Sequence, residues 1–285
     1  MSPRDADGAG GAGQAPIESR DDRRTTALAP PTALADDVVG RLTATFVPAA
    51  DPDRAPAMVA YMKGHFPFLG ITAPERRALM KAALTGLPAP SEDDVAAVAA
   101  GCWALDEREY QYAGADYCVR HVRRCSSGFL PVVEGLITTK SWWDTVDVLA
   151  ARVVGPLVTA TPALRAGMDR WLVSDDKWMA RSALLHQLEY KSDTDVDWLF
   201  GACLRRAADA DFFLRKAIGW VLREYSKTDE GAVRRFVTEH DAELSGLSKR
   251  EALKWLDRRA ARASTTLEAT AVGIRQGSPP KIANS

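Results

Sequence analysis

From about residue 35 to residue 264, apolar positions recur at the three-to-four spacing of a helix face, in short runs parted by brief breaks. No stretch alternates apolar and polar residues with the period of two that marks a strand, and Leu, Ala, Arg, Glu and Lys, which favour helix, dominate. Polar residues predict where helices start: Thr72 ahead of Pro74 and Glu75, Ser91 before Glu92, Ser174 before Asp175, and Ser248 before Lys249 and Glu251. Pro162 suits the first turn of another helix. Breaks are expected near Gly86-Pro88, Ser126-Gly128, Gly155-Pro156, Ser192-Thr194 and Ser245-Gly246.

The helices repeat. Tyr110, Trp143, Trp178 and Phe213 each fall early in a helical run, at successive intervals of 33, 35 and 35 residues. Each follows, within about one turn, a residue able to cap: Asp106, Ser141, Asp175 or Asp209. Aromatic residues at that interval suggest two-helix units that bury their apolar faces only by stacking, as in a solenoid. The fold expected is all-α, with equivalent helices lining one concave surface.

The ends differ. Residues 1–34 are rich in Gly, Ala, Pro and Asp and lack a buried face, so they are expected to form a disordered extension. A flexible tail is expected over residues 265–285. No apolar run approaches the roughly 18 residues of a membrane span, and no secretory signal pattern opens the chain. Lys plus Arg number 37 against 38 acids, which excludes a protein basic all over but not one with a local basic face. The cysteines Cys102, Cys118, Cys125 and Cys203 match no zinc spacing and read as apolar fillers in a reducing cytoplasm. The four histidines make no ligand pair, so no metal is expected.

Two stretches carry candidate chemistry. In Lys140-Ser141-Trp142-Trp143-Asp144-Thr145-Val146-Asp147 the adjacent tryptophans cannot share one core, because neighbours on a helix point about 100° apart. Trp143 and Asp147, at i and i+4, share a face. A carboxylate stabilises the positive sugar formed when an N-glycosidic bond breaks, and an aromatic plane favours a cationic base. The same residues equally suit a groove-filling Trp and an Asp paired with a neighbouring Arg. In the second stretch Lys216, Trp220, Arg223 and Lys227 form one helical stripe opposite Ile218, Val221, Leu222 and Tyr225. That stripe reads either as a phosphate-tracking face with an aromatic platform or as a solvated charged face. Repeat register aims Asp147, Arg181 and Lys216 at one surface, and Lys249, Arg250, Lys254, Arg258, Arg259 and Arg262 would extend its positive charge.

Several motifs in unbroken order resemble those of the bacterial alkylpurine DNA glycosylases, the AlkD family. They are Tyr61 to Ile71 with Pro74-Glu75-Arg76-Arg77, Thr139 to Asp147, Lys216 to Tyr225, and Leu247 to Ala252, within a match from about residue 38 to 262. The resemblance implies a right-handed solenoid of HEAT-like two-helix repeats whose concave basic groove wraps duplex DNA. It implies hydrolysis of the N-glycosidic bond of cationic N3- and N7-alkylated purines such as 3-methyladenine and 7-methylguanine, without metal or cofactor. It assigns Trp143, Asp147 and Trp220 to the lesion site and Arg181 to the support of Asp147 and the DNA backbone. It matches Tyr61 and Arg223 to further groove positions. With the cations Lys216, Lys227, Lys249 and Arg250, these make up the expected DNA surface of a monomer working on the nucleoid in a bacterial cytoplasm. One position departs from the family pattern: Glu189 stands where that pattern is basic, which would weaken phosphate binding on its turn. A non-catalytic DNA-binding solenoid and a protein-binding scaffold are the competing readings.

Overall fold

The structure, a computed structural model, describes residues 28–275, and their side chains through residue 262. Among the described residues it is all-helical, an α-solenoid. The chain opens with α1 (Ala33–Phe46), α2 (Ala55–Tyr61) and α3 (Ala73–Ala83). Pairs follow: α4 (Glu92–Ala104) with α5 (Arg108–His121), then α6 (Leu130–Thr138) with α7 (Trp143–Leu149), which continues into α8 (Gly155–Ala160). Next come α9 (Arg165–Leu172) with α10 (Lys177–Leu185), α11 (Val196–Arg205) with α12 (Phe212–Tyr225), and α13 (Glu230–Glu239) with α14 (Gly246–Arg275). One helix of each pair stacks on its counterpart in the next, so α5, α7, α10, α12 and α14 form a continuous row. Tyr110, Trp143, Trp178 and Phe213 stand in the first turn of the first four members of that row, as their spacing predicts.

Burial by stacking is visible in the main core cluster, which runs from Ala35 to Ala252, with a smaller one at Met62, Phe66 and Phe68. No pair closes its own core, so removing one would expose the apolar faces of both neighbours. Trp103 is fully buried, and its indole N–H donates to the carbonyls of Leu136 (3.1 Å) and Thr139 (3.0 Å), which joins one pair to the next without orphaning a polar atom. Cys102, Cys118 and Cys203 are buried fillers, and burial pushes the Cys102 thiol up to about 12.

Capping follows the sequence in part. Thr72 and Ser91 begin α3 and α4 with reciprocal capping boxes to Glu75 and Asp94. Elsewhere the cap is displaced. Asp176, not Asp175, caps α10, and Asp211, not Asp209, caps α12; each accepts from the two backbone N–H groups that follow its neighbour. Ser174 and Asp209 instead accept from the backbone N–H of those capping residues. Glu107 and Trp142 precede α5 and α7 with no side-chain cap, so Asp106 and Ser141 are not caps. Ser248 lies inside α14, and Ser245 accepts its N–H.

Gly155-Pro156 does not break the chain. The helix runs through it by way of a π turn at Ala150–Val154, where the Gly155 N–H reaches back five residues to the Ala150 carbonyl. The wider turn makes room for the proline ring, which otherwise clashes with the preceding turn. Gly155 is needed for a second reason: a Cβ there would lie 2.4 Å from the His186 carbonyl oxygen. The ends also differ from expectation. Leu28 and Ala29 pack on the core and α1 begins at Ala33, inside the span expected to lack a buried face. At the other end α14 continues past Thr265 to Arg275, in keeping with its Ala-rich sequence. Gly277 to Pro280 lie outside the described residues.

Candidate active site

The start of α7 is built from strained and shared parts. Lys140 sits in the left-handed region at φ 48°, a conformation few non-glycine residues adopt. The fully buried Arg108 of α5 donates to its carbonyl at 2.8 Å and so fixes that turn. Arg108 also grips Asp144 with two bonds (2.6 and 3.0 Å) and reaches Thr145 Oγ1 at 2.9 Å. Tyr112 donates to Asp144 Oδ2 at 2.6 Å. Burial and the Asp144 charge push the Tyr112 phenol well above its ordinary range, so it stays a donor. The face of Phe66 lies 3.8 Å from the Arg108 guanidinium, which ties the chain after α2 to the same knot.

The two tryptophans part as helical geometry requires. Trp142 packs among His65, Phe213 and Trp178, with ring centroids 4.1, 5.2 and 5.7 Å away. Trp143 turns towards Tyr61, which meets it edge-on at 6.2 Å and is itself exposed.

One turn further along α7, Asp147 is held by Arg181 of α10 in a two-point fork, Nε to Oδ1 at 2.7 Å and Nη2 to Oδ2 at 2.8 Å. The third donor of Arg181 goes to the Phe213 carbonyl at 2.6 Å, at the start of α12. Three members of the row are therefore locked through one guanidinium. Both carboxylate oxygens of Asp147 accept a bond from Arg181, which fixes its rotamer. Burial raises the Asp147 carboxyl above the ordinary range and the nearby Asp144 charge adds to this, while Arg181 opposes both. Asp147 is thus paired with a neighbouring Arg, and it lies one turn from Trp143 on α7.

The second cluster joins α12 to α14. Gly219 lets the helices touch, since a Cβ there would lie 2.5 Å from Glu251 Cβ. Glu251 receives Lys216 at 2.6 Å and the guanidinium of Arg223, with Lys254 at 3.6 Å. Burial favours its protonated form, yet Lys216 and Arg223 hold its carboxyl down to about 2.

The structure thus brings Asp147 to Arg181, Trp143 to Tyr61, and Lys216 to Arg223. It does not join Trp220 to any of these by a ring contact or hydrogen bond; that side chain is half-buried on the main core. Lys227 pairs with Glu224 (2.5 Å), and Lys249 with Asp241 (2.7 Å). Arg250 lies on α14 near Gly246. Glu189 stands 3.8 Å from Arg152, both largely exposed, so its charge is partly met within the protein. Sequence reasoning missed Arg108, Tyr112 and Asp144 as a unit, and Glu251 as the hub of its cations. A signal existed: Arg108 and Asp144 are 36 residues apart, and Asp147 and Arg181 are 34 apart, close to the aromatic repeat.

Against known proteins, the model of the DNA alkylation repair enzyme family matches residues 42–256. A solved structure described as a predicted DNA alkylation repair enzyme from Enterococcus faecalis shares 34% identity, over 73% of this chain and 96% of its own, with a TM-score of 0.66. No curated protein matches the chain.

Proposed function

The chain belongs to the DNA alkylation repair enzyme family, and we propose that it repairs by glycosidic hydrolysis, releasing cationic N3- and N7-alkylated purines from duplex DNA without a metal or cofactor. The observation that carries this reading is the Asp147–Arg181 fork beside Trp143 on α7. Alkylation at N3 or N7 leaves the purine positively charged and already a good leaving group. The site then needs no acid to protonate the base, and one carboxylate suffices. As the bond to C1′ lengthens, positive charge builds on the sugar, and a carboxylate held in place stabilises it without reorganising. Water attacks C1′, its proton passes to Asp147 or to solvent, and the neutral alkylpurine departs with the bonding pair.

Arg181 orients the carboxylate and sets off its burial. Trp143 and Tyr61 offer rings to the sugar and base, and Trp220 would complete the lesion site from α12 if DNA bends the row. Lys216, Arg223, Lys227, Lys249 and Arg250 take phosphates in a concave groove. The working unit is a monomer with its catalytic domain over residues 35–264, acting at the nucleoid.

The test is release of free 7-methylguanine from a methylated duplex, under single turnover and with EDTA present. The wild-type chain releases the base. Asp147→Asn releases it roughly 10²- to 10³-fold more slowly, the range for loss of one transition-state electrostatic contact, with duplex affinity kept. Equal rates for the two proteins would overturn the assignment; binding without release by the wild type would leave a DNA-binding solenoid.

A further inference from the structure

α2 carries Tyr61 to the candidate site, yet its own packing does little to hold it there. None of its residues is buried. A cavity of about 540 Å³ lies between it and α3, α5 and α7. The chain that follows it forms the small core of Met62, Phe66 and Phe68, apart from the main one, and the partly buried Trp142 and Trp143 pack against both. Even so, Tyr61 meets Trp143 of α7 edge-on at 6.2 Å.

The first two residues of α5 supply what burial does not. Arg108 and Glu109 are both fully buried, and a charge taken out of water is tolerated only where it is well bonded. Neighbours on a helix point about 100° apart, so the two serve different partners. The Glu109 carboxylate accepts the backbone N–H groups of Leu69 (3.0 Å), Gly70 (2.9 Å) and Ile71 (3.1 Å). The same loop is tied to the start of α2: Asp51 donates its N–H to the Leu69 carbonyl at 2.8 Å, and the Asp51 carbonyl accepts from the Ala55 N–H at 3.1 Å. Gly70 is required there, at φ 88°, since a Cβ would lie 2.1 Å from the Asp51 carbonyl oxygen. Arg108 donates its own N–H to the Pro67 carbonyl at 2.9 Å, while its guanidinium lies on Phe66 and holds Asp144 and the Lys140 carbonyl at the start of α7. One turn of α5 therefore grips the chain on both sides of the Tyr61–Trp143 contact.

Buried charges are a poor way to gain stability, because apolar side chains of like volume often do as well or better. What apolar side chains lack is directional bonding. We infer that Arg108 and Glu109 are positioning residues: they register α2 on α7 and so set Tyr61 against Trp143 for the damaged nucleotide. The registration stands on geometry; its effect on catalysis rests on the proposed function.

The test is a double-mutant cycle on the full chain labelled with 5-fluorotryptophan, its Trp143 fluorine resonance assigned with Trp143→Phe. Glu109→Gln keeps the bulk but turns an amide nitrogen towards one of the three N–H donors. It is expected to move the Trp143 resonance part of the way that Tyr61→Ala moves it. It should also slow release of 7-methylguanine at saturating enzyme by about tenfold to a hundredfold, the scale for a misplacement of up to about an ångström, with duplex affinity kept. In a Tyr61→Ala chain the same substitution should cause no further shift and no further slowing. Arg108→Lys cannot hold Asp144 and the Lys140 carbonyl together, and it should move the resonance in both backgrounds. Leu42→Ala, which opens a cavity in the core at α1, should lower the denaturation midpoint with resonance and rate unchanged. If neither charge variant folds, Thr145→Val, which removes one acceptor of the guanidinium, must still move the resonance. A Trp143 resonance that stays in place, or an effect of Glu109→Gln that persists undiminished without Tyr61, overturns the positioning role. Tyr61→Ala at the wild-type rate, with the resonance cycle intact, overturns its catalytic consequence alone. A wild type that releases no base, with that cycle intact, counts against the proposed function and leaves the registration standing.

Discussion

The Asp147 and Glu251 clusters use the same ingredients in opposite order. At α7 the cation is the hidden partner: the side chain of Arg181 is 4% exposed and that of Asp147 12%. At α12 the acid is hidden: Glu251 is 10% exposed, against 24% for Arg223 and 36% for Lys216. In each cluster the deeper group fixes the shallower one, and the shallower one decides what charge the surface shows. The first therefore presents an oriented carboxylate and the second presents cations in excess. In the proposed reaction, a sugar that becomes positive and a backbone that is always negative call for those two signs. A buried ion pair is weak support for stability in itself, so the ordering points to use rather than to strength.

Removing the hidden partner should break this comparison most severely at α7. Arg181→Ala leaves Asp147 buried with no cation and frees the Phe213 carbonyl, and loss of one member of a buried pair costs about 3–5 kcal/mol. Chemical denaturation should show that loss, together with loss of excision. A destabilisation below about 1 kcal/mol, typical of an exposed pair, would show that Asp147 is hydrated and the contrast false. The pH dependence separates the clusters next. Burial raises Asp147, so single-turnover release of 7-methylguanine, corrected for spontaneous loss, should fall on acidification at a pH above the ordinary 3.8. Arg181→Lys should move that limb higher, because the fork is lost. A limb at or below 3.8 would mean that Asp147 is not the group that must stay ionised.

The fold was legible because its signals are local. Period, caps and the aromatic interval depend on residues within one or two repeats, and Thr72, Ser91 and the four repeat aromatics stand where they were expected. Gly155-Pro156 misled because the break signal is local too, whereas the structure carries the helix through it by a π turn and sets Gly155 close against the His186 carbonyl just past α10. The family motifs made Asp147, Trp143 and Arg181 visible as types, but only the stacked helices show that Arg181 forks both carboxylate oxygens. Arg108 and Asp144 were illegible for the same reason: each looks like an ordinary surface charge until the helix of the neighbouring repeat covers it.

At α12 smaller effects are expected, since the cations there are partly hydrated. Lys216→Ala should weaken duplex binding evenly across sequences and lower the slope of log affinity against log salt by roughly 0.9, the value for one phosphate contact. Excision at saturating enzyme should stay unchanged. An unchanged salt slope would remove Lys216 from the DNA surface and leave it as a tie between α12 and α14.

The smallest effect tests the hidden acid. Glu251→Gln should cost roughly 1 kcal/mol at neutral pH, because Lys216 and Arg223 regain water when the charge is lost. Its signature is the pH dependence. The Glu251 carboxyl lies at about 2 in the folded chain against an ordinary 4.5, so the folded state takes up this proton later than the unfolded one. The stability it confers is present in full above 4.5 and is lost as the pH falls towards about 2. Stability curves of wild type and Glu251→Gln should therefore run parallel above that window and converge within it. The variant should also bind duplex more tightly at low salt, since two cations lose their internal counter-charge. If the curves stay parallel down to pH 2, or the variant binds DNA less tightly, Glu251 is not the group that sets the positive face of α12 and the inversion between the clusters fails.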